Sequence, residues 1–257
     1  MGFLKNIFSA RALLLAGALA VLSVTAQGGR IVVNHDEWAT SNAGYAHSGE
    51  SSAHQFVVNL GNFLAGPGGN ILVYSGNFGL NESSFRSSLA SGGFTVTYGD
   101  GSYDLSLFDA IFLSEALPPG NEAFLSAFVN GGGGVYIQAG TGFPGPEGEA
   151  GRWNGFLMPF GLQFDPLYNN CCGNDPVDNP QHALFNGVTQ LYYNNGNSVK
   201  TVGSNPYVSL IEHSATGRGL IGVFDSSLVA TPEPSTYFLV SVGLLAAWWK
   251  RRSVATL

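Results

Sequence analysis

The chain has 257 residues, of which 45% are hydrophobic and only 11% are charged, and its formal net charge is −7. Between residues 27 and 230, five basic side chains stand against sixteen acidic ones, so this part alone carries five minus sixteen, or −11. So acidic a segment disfavours nucleic acids and anionic polymers as partners unless cations bridge them, and it attracts divalent cations.

The first 26 residues have the three-part layout of a secretory signal peptide. Lys5 and Arg11 come first, an apolar run from Ala12 to Val24 follows, and Val24 and Ala26 supply small residues before a cleavage point. We predict cleavage after Ala26. The alternative is an uncleaved N-terminal anchor, but the apolar run is shorter than the ~20 residues that a spanning helix needs.

Strand and helix patterns alternate from residue 30 onward. Short apolar runs predict strands, and apolar residues spaced three or four apart predict helices that end at glycines. The predicted strands are 30–34, 70–75, 94–98, 110–114 and 135–139, and the predicted helices are 51–65, 81–90 and 121–130. Beyond residue 160 the strands look shorter and the loops longer. The alternation predicts an α/β domain over residues 27–230, with an open, mostly parallel sheet and helices on both faces.

The pattern from residue 70 to residue 225 resembles the class I glutamine-amidotransferase-like superfamily, a flavodoxin-like group. The likeness lies in the strands, in Asp109 before the third core strand, and in the glycine-rich turn 131–134 before the next strand. The resemblance implies a nucleophilic cysteine in the turn after strand 135–139. This chain has Ala139, Gly140, Thr141 and Gly142 there, so the resemblance implies that the thiol chemistry is lost.

Candidate acid–base residues follow the predicted strands. His35, Asp36 and Glu37 come directly after the first strand, Glu115 follows the strand 110–114, and Glu212 and His213 end a later one. Because sites in open parallel sheets form at strand ends, the first four are candidate catalytic or metal-binding residues. Such residues also commonly cap the turn that follows a strand.

Two further features lie between residues 165 and 180. Cys171 and Cys172 are adjacent and would meet oxidising conditions after export, which predicts a disulfide between them, pairing between molecules or a masked thiol pair. Carboxylates in the same stretch suit calcium, although asparagine- and aspartate-rich loops also form turns. No cofactor is expected otherwise, and the candidate calcium ligands are Asp165, Asp175 and Asp178.

The C-terminus carries three ordered elements in residues 231–257. Pro232-Glu233-Pro234 should be extended and exposed, residues 237–249 are apolar or small, and Lys250-Arg251-Arg252 follow them. The apolar run predicts a short membrane helix, and the basic triplet should stay cytoplasmic. A plain tail anchor is the alternative.

This ordered set resembles the PEP-CTERM sorting signal. Proteins with that signal are processed by exosortases, which are membrane enzymes of bacteria that make extracellular polysaccharide. The resemblance implies an exported protein with a precursor anchored in the inner membrane, then released to the outer envelope or the exterior. Its implied partners are the secretion machinery, an exosortase-type enzyme and extracellular polysaccharide. We therefore expect a non-catalytic envelope or matrix protein, and the alternative is a hydrolase or other enzyme with a strand-end site on a degenerate amidotransferase-like fold.

Overall fold

The computed structural model of the chain describes residues 28–99, 103–114, 122–140, 142 and 145–228. Residues 27–228 form one unit. The predicted signal helix in residues 1–26 and the predicted membrane helix at 237–249 lie outside the described residues. Within the described ranges, no helix is both long enough and apolar enough to cross a membrane.

Strands and helices alternate in the first part of the described chain. Four of the five strands there are short apolar runs, and a glycine directly follows each of the four helices. In chain order the elements are β1 (Arg30–Asn34), α1 (Asn42–Ser48), α2 (Glu50–Ala65), β2 (Asn70–Tyr74), α3 (Ser83–Ser91), β3 (Thr95–Tyr98), β4 (Ala110–Leu113), α4 (Glu122–Asn130) and β5 (Gly134–Gln138).

The second part is mostly strands after one more helix. Its elements are α5 (Pro146–Leu157), β6 (Leu162–Tyr168), β7 (Gly173–Pro176), β8 (Gln190–Tyr193), β9 (Asn197–Thr201), β10 (Val208–His213) and β11 (Gly219–Asp225). Strands β7 and β8 pair with each other as a separate antiparallel hairpin.

The remaining nine strands form one mixed sheet in the order β3-β2-β4-β5-β1-β11-β9-β6, with β10 also paired to β11. The first five of these are parallel to one another. On its other side β1 pairs antiparallel with β11, so that Ile31 faces both Val135 of β5 and Phe224 of β11. Strand β1 is therefore the junction between a parallel half and an antiparallel half.

Each face of the sheet has its own hydrophobic core. On one face, Val32, Val73 and Phe112 pack with Phe56 and Leu60 of α2. Because successive strand residues point to opposite faces, Ile31 and Val33 pack on the other face, against α4 and α5. Burying one such side chain contributes about 1.5–3 kcal/mol, so helices that cover both faces fix this layered arrangement.

The predicted α/β class, with a largely parallel central sheet and helices on both faces, is confirmed. Two parts of the sequence-based prediction need correction. The loop predicted after β5 contains α5, and the chain after residue 160 adds antiparallel strands rather than a continuation of the parallel sheet.

Helix α1 was not predicted from the sequence either. Its N-cap is Ser41, whose hydroxyl accepts a hydrogen bond from the Gly44 N–H.

The turn before β9 closes tightly on the end of β1. The Asn197 N–H donates to the His35 carbonyl at 2.9 Å. At Gly196 a Cβ atom would overlap that same carbonyl oxygen and lie 2.7 Å from the Asp36 Cβ. Only glycine fits this contact between the two halves of the sheet.

We predict that Gly196→Ala lowers the free energy of unfolding by about 2 kcal/mol, because the new methyl group must displace backbone. Gly151→Ala is the matched control, since a Cβ there meets nothing within 4 Å. It lies inside α5 and should be neutral or stabilising by up to ~1 kcal/mol. Urea unfolding of the purified proteins measures both, and equal stabilities of the two variants would contradict the tight contact.

Candidate functional site

The imidazole of His35, at the end of β1, is buried away from solvent. His35 is 0% exposed, and its Nδ1 lies 3.0 Å from the Asn169 side-chain amide nitrogen. Because an amide nitrogen donates, Nδ1 accepts and the ring proton is on Nε2. Nε2 has no hydrogen-bond partner among the described residues, and burial lowers the pKa of His35 to about 3. The ring is thus neutral and enclosed.

Asp36 connects the end of β1 to two other segments. It is 0% exposed, its Oδ1 accepts from the Trp38 N–H at 2.9 Å, and its Oδ2 accepts from the Asn194 N–H. Burial raises the pKa of Asp36 to about 7, and the backbone donors oppose that shift. The contact with Trp38 fixes a local turn and the contact with Asn194 reaches the distant segment before β9, so Asp36 acts here as a structural link.

Glu37 is the most perturbed of the three carboxyl and imidazole groups. It is 3% exposed, and its Oε2 accepts from the Asn77 side-chain amide at 2.6 Å. Burial is the main reason that the pKa of Glu37 rises to about 9, with repulsion from Asp36 and Glu149 adding to it. At neutral pH the side chain is therefore a protonated acid that can donate a hydrogen bond.

The turn after β5 takes the place where the amidotransferase-like resemblance implies a nucleophile. Ala139 is buried there, and the Gly140 N–H donates to Oε2 of Glu149, a buried residue of α5, at 2.9 Å. A Cβ at Gly140 would lie 2.7 Å from the Asp36 Cβ, so no larger residue fits. Thr141 and Glu115 lie outside the described residues.

The predicted calcium ligands are not brought together as a set. Asp165 on β6 forms an ion pair with Lys200 on β9 at 2.6 Å. Asp178 Oδ2 instead accepts from the backbone N–H of His213 at 2.8 Å and lies 3.1 Å from its Nδ1, while the Asp178 N–H donates to Glu212 Oε2 at 2.9 Å. Asp178 is therefore tied to the end of β10, away from the Asp165 ion pair.

The sulfur atoms of Cys171 and Cys172 are paired with each other in the structure, and a disulfide between them stays a prediction. Their sulfur atoms and a carboxylate oxygen of Asp175 lie within 4.8 Å of one another, and in the described part of the chain this is the one such group of three potential metal ligands. A disulfide sulfur is not a thiolate, however, and the thiolate is the form that binds metals.

A row of four aromatic rings lies beside the carboxyl end of the parallel strands, and sequence patterns did not reveal it. Trp38 contacts Phe78 at 5.4 Å and Tyr192 at 6.0 Å between ring centroids, and Tyr192 stacks on His47 at 4.5 Å. We call these four residues the aromatic row. His47 is exposed and the other three are partly exposed.

The row was hard to predict because its members come from three separate segments. One signal was available: Trp38 directly follows Glu37, and Phe78 directly follows Asn77. The hydrogen-bonded pair of Glu37 and Asn77 therefore lies next to the contact between these two rings.

An open cleft of about 430 Å³ lies between α2 and α3 and is lined mainly by hydroxyl groups. Ser88 at its base is 1% exposed and donates to the Ser84 carbonyl at 2.9 Å. Tyr45 and His54 also reach the Ser88 hydroxyl, at 2.7 and 3.0 Å. A hydroxyl has one proton, so Ser88 donates to only one of its three partners, and the tautomer of His54 decides whether its Nδ1 donates to Ser88 or accepts from it.

We predict that Glu37→Gln reduces the loss of stability at high pH. The folded-state pKa of Glu37 lies above its unfolded value, so its contribution is fully present below pH ~4.5 and is lost as pH rises toward 9. Between pH 5 and 9 the free energy of unfolding of the variant should therefore rise relative to that of the wild type, by about 1 kcal/mol or more at pH 8.5. Denaturant unfolding across that range measures it.

Glu147→Gln is the control, because Glu147 is an exposed residue of the first turn of α5. It should leave the pH dependence of the wild type unchanged. Parallel curves for Glu37→Gln and the wild type would show that the Glu37 proton is not retained on folding.

Comparison with known proteins adds information at the C-terminus. The family model described as the PEP-CTERM protein-sorting motif matches residues 230–252, a range that includes Pro232-Glu233-Pro234 and Lys250-Arg251-Arg252. No curated protein and no solved structure matches the chain. The motif marks the chain as an exported protein that an exosortase-type enzyme processes at the membrane.

Proposed function

We propose that the exported domain is a non-catalytic component of the envelope or extracellular matrix that associates with polysaccharide. The aromatic row is the observation that carries this proposal. Sugar rings have apolar faces of C–H groups, and partly exposed aromatic rings offer a large apolar surface at little entropic cost. The neighbouring Asn77 is partly exposed, and its side-chain amide can exchange hydrogen bonds with sugar hydroxyls.

The charge of the domain narrows the class of polysaccharide. With −11 over residues 27–230, from five basic and sixteen acidic side chains, a polyanionic glycan would be repelled unless cations bridge it. This repulsion favours a neutral glycan.

A non-catalytic role is supported by the state of the candidate catalytic residues. His35 and Asp36 are 0% exposed, Asp36 accepts from loop backbone, and His35 Nδ1 accepts from Asn169. A general acid or base must come within hydrogen-bond reach of its substrate, which enclosed groups cannot do without rearrangement. The hydrolase alternative would need Glu37 or Glu115 to act without them.

Strand order supports an origin from an amidotransferase-like, flavodoxin-like ancestor. Strands β2 to β5 lie in the order β3-β2-β4-β5, which is the flavodoxin-like order 2-1-3-4, and β1 takes the place of the fifth strand. The replacement of the nucleophile turn by Ala139 and Gly140 then fits a binding domain on a retained scaffold.

Delivery follows from the two ends of the chain. In this proposal the signal peptide 1–26 is removed by the secretion machinery, and the helix 237–249 holds the precursor in the inner membrane with Lys250-Arg251-Arg252 on the cytoplasmic side. Cleavage near Pro232-Glu233-Pro234 then passes the domain to the outer envelope or the exterior.

We predict that Trp38→Ala weakens binding to an insoluble neutral polysaccharide by about tenfold, since it removes the central ring of the row. Phe124→Ala is the matched control, because Phe124 is a 36% exposed ring on α4, on the opposite face of the sheet. Pull-down isotherms of the purified proteins measure both. Equal retention of the two variants, or stronger binding to an anionic glycan, would contradict the proposal.

We predict that changing Pro232, Glu233 and Pro234 together to alanine leaves an uncut, membrane-retained precursor, because the apolar run and its basic end remain. The single change Ser235→Ala should mature normally. Fractionation with a mass shift on immunoblots measures both, in a host with an exosortase and in one without it. Maturation that ignores the enzyme or the three changes would leave the plain tail anchor as the explanation.

A further inference from the structure

Three buried oxygen atoms near the β7–β8 hairpin have no hydrogen-bond partner in the part of the chain that the structure describes. They are the Tyr193 hydroxyl, Glu212 Oε1 and Asp175 Oδ2. Tyr193 and Glu212 are both 0% exposed. Leaving a buried polar atom unpaired costs about 1–3 kcal/mol, so native proteins rarely do so without a bound water or ion.

The pairing of the hairpin places two of these oxygens on one side. Asp175 is opposite Leu191, and Gly173 is opposite Tyr193. Residues directly opposite, or two apart on one strand, share a face, so Asp175, Leu191 and Tyr193 point the same way. Leu191 and Tyr193 are fully buried, which makes this the inner face of the hairpin.

Glu212 of β10 approaches the same inner face. After burial, the Glu212 carboxylate is the largest cause of the raised pKa of Tyr193, and Asp175 adds to it. The pKa of Glu212 itself rises to about 8 through burial first, and through Asp178 and Asp175 after it. The Asp178 N–H, three residues after Asp175, donates to Glu212 Oε2, so Glu212 lies beside the end of β7 that carries Asp175.

One contact fixes the orientation of Glu212. The Asp178 N–H donates to its Oε2 at 2.9 Å, which leaves Oε1 as the oxygen without a partner. Asp178 is in turn anchored by His213. Asp178 is thus a positioning residue, and its hydrogen bonds to Glu212 and His213 join the end of β7 to β10.

We propose that Asp175, Glu212 and Tyr193 bind a hard divalent cation, for which calcium is the candidate in the exterior. The carboxylates of the buried Glu212 and the half-buried Asp175 repel each other and lose hydration, and a dication between them offsets both costs. The ligands are oxygens, as calcium prefers, and backbone carbonyls and waters complete its shell. The set shares Asp175 with the sequence-based prediction and replaces Asp165 by Glu212.

The site has a structural consequence for the surface above it. Tyr192 precedes Tyr193 on β8 and points to the other side of the hairpin, where it belongs to the aromatic row. Asn174 of β7 donates to the His47 carbonyl at 2.8 Å. A cation on the inner face would therefore fix the strand that carries one ring of the row, whatever ligand the row binds.

The test uses the purified full-length protein in detergent, with its disulfide intact, stripped with EDTA and titrated with CaCl₂. We expect 10 mM calcium to raise Tm by about 3 °C or more in the wild type. Asp165→Asn is the control and should keep that shift, because its ion pair with Lys200 lies elsewhere. Asp175→Asn and Glu212→Gln should lose it.

A second readout keeps the proposal open to refutation if Glu212→Gln does not fold. Terbium replaces calcium, and a nearby tyrosine sensitises its luminescence, so TbCl₃ should give a calcium-displaceable signal that falls at least about fivefold in Asp175→Asn. No calcium shift in the wild type, or equal shifts in Asp175→Asn and Asp165→Asn, would overturn the proposal. So would metal binding that appears only after reduction and prefers ZnCl₂, since that would assign the site to the Cys171 and Cys172 thiolates.

Discussion

Strand β1 pairs with β5 on one side and with β11 on the other, and the buried carboxylate of Asp36 holds its end in place. The pairing is parallel on the β5 side and antiparallel on the β11 side, so both halves of the sheet share this one strand. Asp36 adds a link that the backbone ladder does not provide, because Asn194 lies in the turn before β9. The packing of both cores depends on β1 keeping this register.

The same constraint encloses the polar residues at the end of β1. His35 and Asp36 are needed to close the junction, and Gly140 and Gly196 approach them too closely for any side chain. Asn77 is partly exposed and is hydrogen-bonded to the buried Glu37, and the two residues directly precede Phe78 and Trp38. In the function that we propose, the adjacent aromatic row is the surface that contacts a ligand.

Much of the fold could be predicted because its first half follows simple periodicity. Strands β1, β2, β4 and β5 are apolar runs, and α2 has one apolar face that ends at Gly66. Helix α5 was missed although Pro146 at its first position and Glu147 in its first turn are typical helix starts, because glycines and prolines before it indicated a loop. Strand β9, with the sequence Asn-Ser-Val-Lys-Thr, has too little apolar character to be recognised without its partners.

The candidate sites likewise divide into features that local sequence predicts and features that depend on tertiary contacts. The position of His35, Asp36 and Glu37 at a strand end could be predicted, since they directly follow an apolar run. Their burial could not, because it depends on Asn169 and Gly196 from far along the chain. The aromatic row and the meeting of Asp175 with Glu212 also depend on tertiary contacts that leave no spacing in the sequence.

The dependence of both halves on β1 and Asp36 can be measured by hydrogen exchange on Asp36→Ala protein. The account predicts faster amide exchange in three places at once: β1, the segment 194–201 and β11, because the junction loosens as one unit. Exchange that rises only in residues 192–197, with β1 and β11 unchanged from the wild type, would contradict the claim that this buried carboxylate couples the two halves of the sheet.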